Sequence, residues 1–172
     1  MAEIIIISCV AQNNVIGKDG DIPWRLKEDF QHFQNKTMGH PCVMGDITYD
    51  SLPDNAKPLP GRENIVLTFD KEYKREGTTI FHSWEDAMQY IKEKNYEKAF
   101  ICGGASIYKL GLKTADTLEL TRINKDIDGD TLFPEINFEE WELTKKEDSE
   151  GVNKLTGETL KFSFLTYKRK KK

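Results

Sequence analysis

Four isoleucines stand in a row at positions 4–7, followed by Ser8, Cys9, Val10 and Ala11. A strand turns successive side chains to opposite faces, so an unbroken apolar run is satisfied only where both faces of its sheet are covered. That excludes a single sheet open to water and asks for helices on both sides. Short runs of strand type recur at 42–44, 64–68, 78–81, 99–102, 117–122 and 159–167. Helical patterns fall between them. Ser83-Trp84-Glu85-Asp86 is a capping signal, with Trp84, Ala87, Met88 and Ile91 following on one face. Leu26, Phe30 and Phe33 recur at helical spacing and predict a helix over 26–37, and shorter helices are expected after Gly45 and Gly104. The last run sets Leu160, Phe162 and Phe164 against Lys161 and Ser163, as in a half-exposed antiparallel strand. The expected fold is α/β, a three-layer sandwich around a mixed, mostly parallel sheet.

At 172 residues the chain fits one domain, read as 1–167 with a solvated basic tail at 168–172. Five of the 25 basic residues lie in that tail, so the other 167 residues carry 20 cations against 29 anions. An acidic body argues against nucleic-acid binding. No apolar run exceeds four residues, too short to span a bilayer, and Met1-Ala2-Glu3-Ile4 has no signal-peptide pattern; a cytoplasmic protein is expected. Cys9, Cys42 and Cys102 sit in apolar runs, as small buried thiols do, and His32, His40 and His82 form no ligand-spaced pair, so no metal site is expected. Pro53, Pro58, Pro60 and Gly61 mark an ordered loop.

Several residues carry candidate chemistry. Asp29 lies beside Phe30, one turn from Leu26 and Phe33. It either looks outward, or sits desolvated in a pocket where it pairs with a cationic or amidine-like edge. Cys102-Gly103-Gly104-Ala105-Ser106 joins a buried strand to a helix, where bare backbone N–H groups suit a phosphate or simply turn the chain. It is neither a Rossmann nor a Walker A motif. Residues 13–24 form a long polar loop of the kind used as lids, ending in Trp24, which by itself reads as core. Arg62 suits a carboxylate or a surface cap, and Gly129-Asp130-Thr131 reads as a turn.

Taken in order, the chain resembles dihydrofolate reductase. The matching stretches are Val15-Ile16-Gly17, Ile22-Pro23-Trp24, Asp29, Val43-Met44-Gly45, Thr48-Tyr49, Leu59-Pro60-Gly61-Arg62-Glu63-Asn64, Gly103-Gly104-Ala105-Ser106-Ile107-Tyr108, Leu120-Thr121 and Gly129-Asp130-Thr131-Leu132-Phe133-Pro134. The resemblance implies a central eight-stranded sheet and NADPH-dependent reduction of dihydrofolate to tetrahydrofolate, by hydride transfer to C6 and protonation at N5. A monomer open to antifolate inhibitors is expected. By position, Asp29 would hold the pterin's 2-amino group and N3, with Thr121 bracing Asp29 and a water. Tyr108, Trp24 and Ile22 would complete the catalytic set. Ile7 and Cys102 would offer carbonyls, and Ser8, Cys9, Phe30, Phe33, Gln34, Leu52 and Leu59 would line the substrate site. Arg62 would hold the glutamate carboxylate. On the cofactor side the resemblance implies Cys9, Val10, Ile16, Gly17, Gly20, Asp21 and Ile22 from the first strand and loop. Gly45, Asp46, Ile47, Thr48, Leu67, Thr68, Phe69 and His82 would follow along the sheet edge. Cys102, Gly103, Gly104, Ala105, Ser106, Ile107, Tyr108 and Leu110 would come from the glycine turn and its helix.

The departures from the family pattern fall at the cofactor. Asp46 stands where NADPH-preferring members usually carry Arg, Phe69 replaces a common phosphate contact, and Ser106 a frequent Arg. NADPH is expected from family use, with Thr68, His82 and a lysine such as Lys57 as phosphate contacts; NADH is the alternative, since an Asp accepts from a free ribose 2′-OH. Cys9 and Cys102 replace a common Ala and a branched residue, and 53–57 reads as an insertion. A same-fold reductase acting on a pyrimidine intermediate is the nearest rival, and a pterin- or nucleotide-binding protein without turnover is a rival of another class.

Overall fold

The structure, a computed structural model, describes residues 2–171; Met1 and Lys172 of the sequence reading lie outside it. The elements are β1 (Glu3–Ala11), β2 (Val15–Gly17), α1 (Lys27–Thr37), β3 (Cys42–Gly45), α2 (Asp46–Asp50), β4 (Asn64–Leu67), β5 (Thr78–Phe81), α3 (Trp84–Glu93), β6 (Lys98–Ile101), α4 (Ala105–Leu112), β7 (Thr117–Ile123), β8 (Thr131–Leu132), β9 (Trp141–Val152) and β10 (Thr159–Arg169). Eight strands form one sheet in the order β5-β4-β3-β6-β1-β7-β10-β9, with β2 and β8 paired apart. Only β10 runs against the other seven.

The isoleucine run lies between β6 and β7, where both its faces are covered. Ile6 and Val10 join the core under α3 and α4, with Ala87, Ile91, Ile107 and Tyr108. Ile5 and Ile7 turn to the opposite face and pack with Met44, Tyr49, Leu59 and Phe100, against which Phe33 of α1 rests. Thus the three layers follow from one uninterrupted apolar strand. The capping signal holds: Ser83 Oγ accepts from Asp86 N at 3.1 Å.

Three sequence expectations need correction. β9 went unread because its sequence, Trp141-Glu142-Leu143-Thr144-Lys145-Lys146-Glu147-Asp148-Ser149-Glu150-Gly151-Val152, is mostly charged. It is an edge strand, and charges on an edge discourage pairing with another chain. The polar loop 13–24 contains a strand, β2, which pairs with β8 just after the Gly129-Asp130 turn. The basic run is not a free tail from residue 168: Lys168 lies 3.0 Å from Glu3, and Arg169 stacks over Trp141 at 4.3 Å while donating to the Ala115 and Leu112 carbonyls. A chain end with partners for both its charges and its backbone belongs to the sheet.

Candidate active site

β7 carries the alternation that builds the site. Leu118 and Leu120 are buried on the α3/α4 side, while Glu119 and Thr121 pair with Ile7 and Cys9 of β1 and so face α1. There the Thr121 hydroxyl donates to Asp29 Oδ1 at 2.6 Å. Asp29 therefore turns inward, and the outward alternative is set aside. Burial pushes its carboxyl above the ordinary aspartate range, against the pull of donors from Thr121 and Cys9. The Cys9 thiol is itself held well above its usual value, by burial first and then by the neighbouring Asp29 charge. It stays S–H and serves as a donor.

Asp29 lies in a cleft of about 610 Å3 whose walls include Ile22, Trp24, Leu26, Phe30, Gln34 and Leu52. Phe30 is 57% exposed and Ile22 49% exposed, which marks them as wall rather than core. Trp24 is buried with Ala11, Val15, Leu26 and Phe162, so it serves both as core and as one side of the cleft. Leu59, by contrast, sits in the core, its backbone pinned by both ends of the Asn64 amide. Arg62 donates through Nη1 to Thr37 Oγ1 at 3.0 Å and through Nε to the Pro60 carbonyl at 2.9 Å, leaving its other guanidinium hydrogens free. Ser8 of β1 and Cys102, just past the end of β6, are half-buried on the floor of this face, and Cys42 of β3 is a buried residue.

A second group collects at the carboxyl ends of the parallel strands, where open α/β sheets bind their ligands. Gly45 N donates to the Gly103 carbonyl at 2.9 Å, joining the ends of β3 and β6. Gly103 has φ +118°, which only glycine adopts freely, and a Cβ on Gly104 would stand 3.3 Å from the Thr48 hydroxyl. No side chain caps the first turn of α4 at Ala105, Ser106 and Ile107, so its backbone donors suit a phosphate. The residues thus fit a dinucleotide's pyrophosphate. Leu110 packs on the adjoining core, Val10 and Leu67 are within it, and Ile16 rests against it. Tyr108 donates its hydroxyl to the Ile7 carbonyl at 2.8 Å, and its phenol is held above the usual value by burial.

The loop between β2 and α1 is tied down at both ends. Lys18 Nζ meets Asp128 at 2.7 Å and Asp19 N donates to Asp130 at 2.9 Å. Gly17 packs against Thr131, and Gly20 takes φ +80° at the tip. Arg25 grips the other end, donating to Asp21 Oδ2 at 2.8 Å and to the Ile22 and Trp24 carbonyls. The sequence reading does not name Arg25: it lies in the non-helical stretch before α1, where the spacing from Asp21 carries no helical pairing signal. Pro53, read from the sequence only as part of an ordered loop and an insertion, lines the cleft as well, and so does Lys154 of the β9–β10 turn, which the sequence reading does not name. Lys57 does not approach Asp46: its Nζ donates to the Asp50 carbonyl at 3.0 Å, at the other end of α2.

A sequence model of the family described as dihydrofolate reductase matches residues 3–169. The chain belongs to the dihydrofolate reductase family. It is 39% identical to the dihydrofolate reductase of Haemophilus influenzae over 138 residues, covering 80% of this chain and 82% of that one. It is 34% identical to that of Neisseria gonorrhoeae over 167 residues, 97% of this chain and 98% of that one. Among solved structures, dihydrofolate reductase from Enterococcus faecalis complexed with NADP(H) and RAB-propyl superposes with a TM-score of 0.85 at 32% identity, covering 98% of this chain and 97% of that one. Dihydrofolate reductases are oxidoreductases that reduce 7,8-dihydrofolate to 5,6,7,8-tetrahydrofolate for one-carbon metabolism, and they are antifolate targets. No described helix is long and apolar enough to cross a membrane, and no group of potential metal ligands gathers among the described residues.

Proposed function

We propose that this chain reduces dihydrofolate with NADPH, with Asp29 as the residue that holds and polarises the pterin. The bonded pair Asp29–Thr121 at the base of an apolar cleft carries the reading. When bound, the reduced nicotinamide supplies the hydride that reaches C6. The chain's residues do the rest. Asp29 accepts from the 2-amino group and N3 of the pterin, which raises the basicity of N5, and a water delivers the proton there. Thr121 fixes the carboxylate, and the low dielectric of the cleft strengthens its hold on the ring.

Phe30, Phe33, Leu52 and Gln34 flank the benzoyl group, and Arg62 receives the glutamate carboxylate through its free guanidinium hydrogens. Tyr108 and the Ile7 and Cys102 carbonyls surround the nicotinamide region. The Gly103-Gly104 turn, with Thr48, holds the pyrophosphate. Residues 17–24 close the site from water. Inhibitors presenting an amidine edge would compete for Asp29. Unpaired cysteines suit a reducing, cytoplasmic setting, and the charged β9 edge suits a monomer.

The test follows loss of reduced-nicotinamide absorbance with dihydrofolate and NADPH, in wild type and in Asp29→Asn. Folate-dependent oxidation that collapses in the variant is expected. Folate-dependent turnover that persists in Asp29→Asn would remove Asp29 from its role, and no turnover in wild type would overturn the reading.

A further inference from the structure

β3, β4 and β5 run parallel in register, with Gly45 opposite Leu67 and Leu67 opposite Phe81. They end at one level, and the next residue on each is Asp46, Thr68 and His82. These three are joined side by side. The Thr68 hydroxyl donates to Asp46 Oδ2 at 2.8 Å, and His82 Nδ1 lies 2.9 Å from the Thr68 carbonyl. A carbonyl only accepts, so Nδ1 carries a hydrogen directed at it. Thr68 Oγ also accepts from Asp70 N at 3.1 Å, so its one hydrogen and a lone pair are both engaged.

This row is rich in acceptors and poor in donors. Asp46 Oδ1 accepts from Ile47 N at 2.7 Å, and a carboxylate with one bond per oxygen retains about two further acceptor positions. No Lys or Arg is hydrogen-bonded or ion-paired to Asp46, Thr68 or His82 among the described residues. Beside the row, Phe69 is 96% exposed and Ile47 71% exposed, apolar surface suited to a heteroaromatic base. The chemistry suits an adenosine whose ribose hydroxyls donate to Asp46. It does not suit a ribose 2′-phosphate, a dianion placed against a carboxylate.

Resting on the dinucleotide reading above, we infer that Asp46 removes the advantage of the 2′-phosphate, so that NADH serves as hydride donor beside NADPH. The balance is unchanged: dihydrofolate, NADH and a proton give tetrahydrofolate and NAD+.

Calorimetric titration of the full chain with NADPH and with NADH tests this by binding, independently of turnover. Wild type is expected to favour NADPH less than tenfold. Asp46→Arg should shift the ratio of dissociation constants tenfold or more toward NADPH. Asp46→Asn, which can keep the Thr68 bond, should shift it the same way by a smaller factor. A tenfold or greater preference for NADPH in wild type, or an unmoved ratio in Asp46→Asn or in folded Asp46→Arg, would overturn the inference alone. Binding of neither dinucleotide by wild type would overturn it together with the reductase reading.

Discussion

Thr121, in the middle of β7, donates its hydroxyl to Asp29 of α1 across 92 residues of sequence, and this single bond joins the sheet to the helix at the base of the cleft. A hydrogen bond to a charged group contributes about 1.5–3 kcal/mol. Thr121→Val is therefore expected to lower kcat/KM roughly ten- to a hundredfold. Because the lost donor favours the ionised carboxylate, the pKa of Asp29 moves further up, and the corresponding limb of the pH profile of kcat/KM moves with it. Thr121→Ser keeps the donor and should restore the profile. A Val variant with lower activity but an unmoved profile would reduce Thr121 to a packing role.

Asp29→Asn should trade function for stability. Burial raises the Asp29 pKa above the ordinary aspartate value, so the folded state binds the proton more tightly than the unfolded chain does. The resulting penalty is absent below the unfolded pKa and develops as pH rises through the folded one. At pH 7 the variant should melt higher than wild type, and near pH 3 the two should converge, while activity falls about 10²–10⁴-fold. Calorimetry at the two pH values checks it; a wild type more stable than the variant at pH 7 contradicts it.

His32 sets an acid limit. Its ring stacks on Phe164 at 4.1 Å, and burial, aided by Lys36 and Lys145, lowers its pKa from 6.5 to about 4. The unfolded chain takes up this proton first, so the contribution is full above pH 6.5 and is lost as pH falls toward 4. His32→Gln should flatten the decline of melting temperature across that window.

Arg62→Gln should raise the KM for dihydrofolate about ten- to a hundredfold and change kcat little, since the carboxylate it receives is remote from the reacting atoms. A substrate analogue lacking that carboxylate should bind wild type and variant alike. Equal loss in kcat would place Arg62 elsewhere in the mechanism.

Arg169→Ala should lower stability by about 2 kcal/mol, on the order of 5 °C in a chain of this length, by removing two carbonyl bonds and the stack on Trp141. An unchanged melting temperature would return residue 169 to the solvated tail.

What was legible in the sequence and what was not divide along physical lines. Apolar continuity exposed β1, β3, β4 and β6, because burial on both faces leaves no polar position to blur the pattern. β9 escaped, since an edge strand is stabilised by its partner's backbone and tolerates Glu142, Lys145 and Glu147. Periodicity left Asp29 ambiguous; only its tertiary partner Thr121 decides its direction. Arg25 and Lys154 reach the cleft from segments whose positions are set by long-range bonds, such as Lys154 N to the Arg25 carbonyl at 2.9 Å. Asp46 was visible as a departure, but its row with Thr68 and His82 exists only once three strands end in register.

The place of β1 between β6 and β7 also governs how the molecule is made. Glu3 pairs opposite Lys98, and Ala11 opposite Ile123. A strand with no room for water on either face therefore leaves the ribosome about 90 residues before its first neighbour. At roughly 5–20 residues per second this amounts to some 5–20 seconds. Through that interval four consecutive isoleucines have no native strand to pair with, and the nascent chain is a natural client for a holdase until the centre of its own sheet arrives.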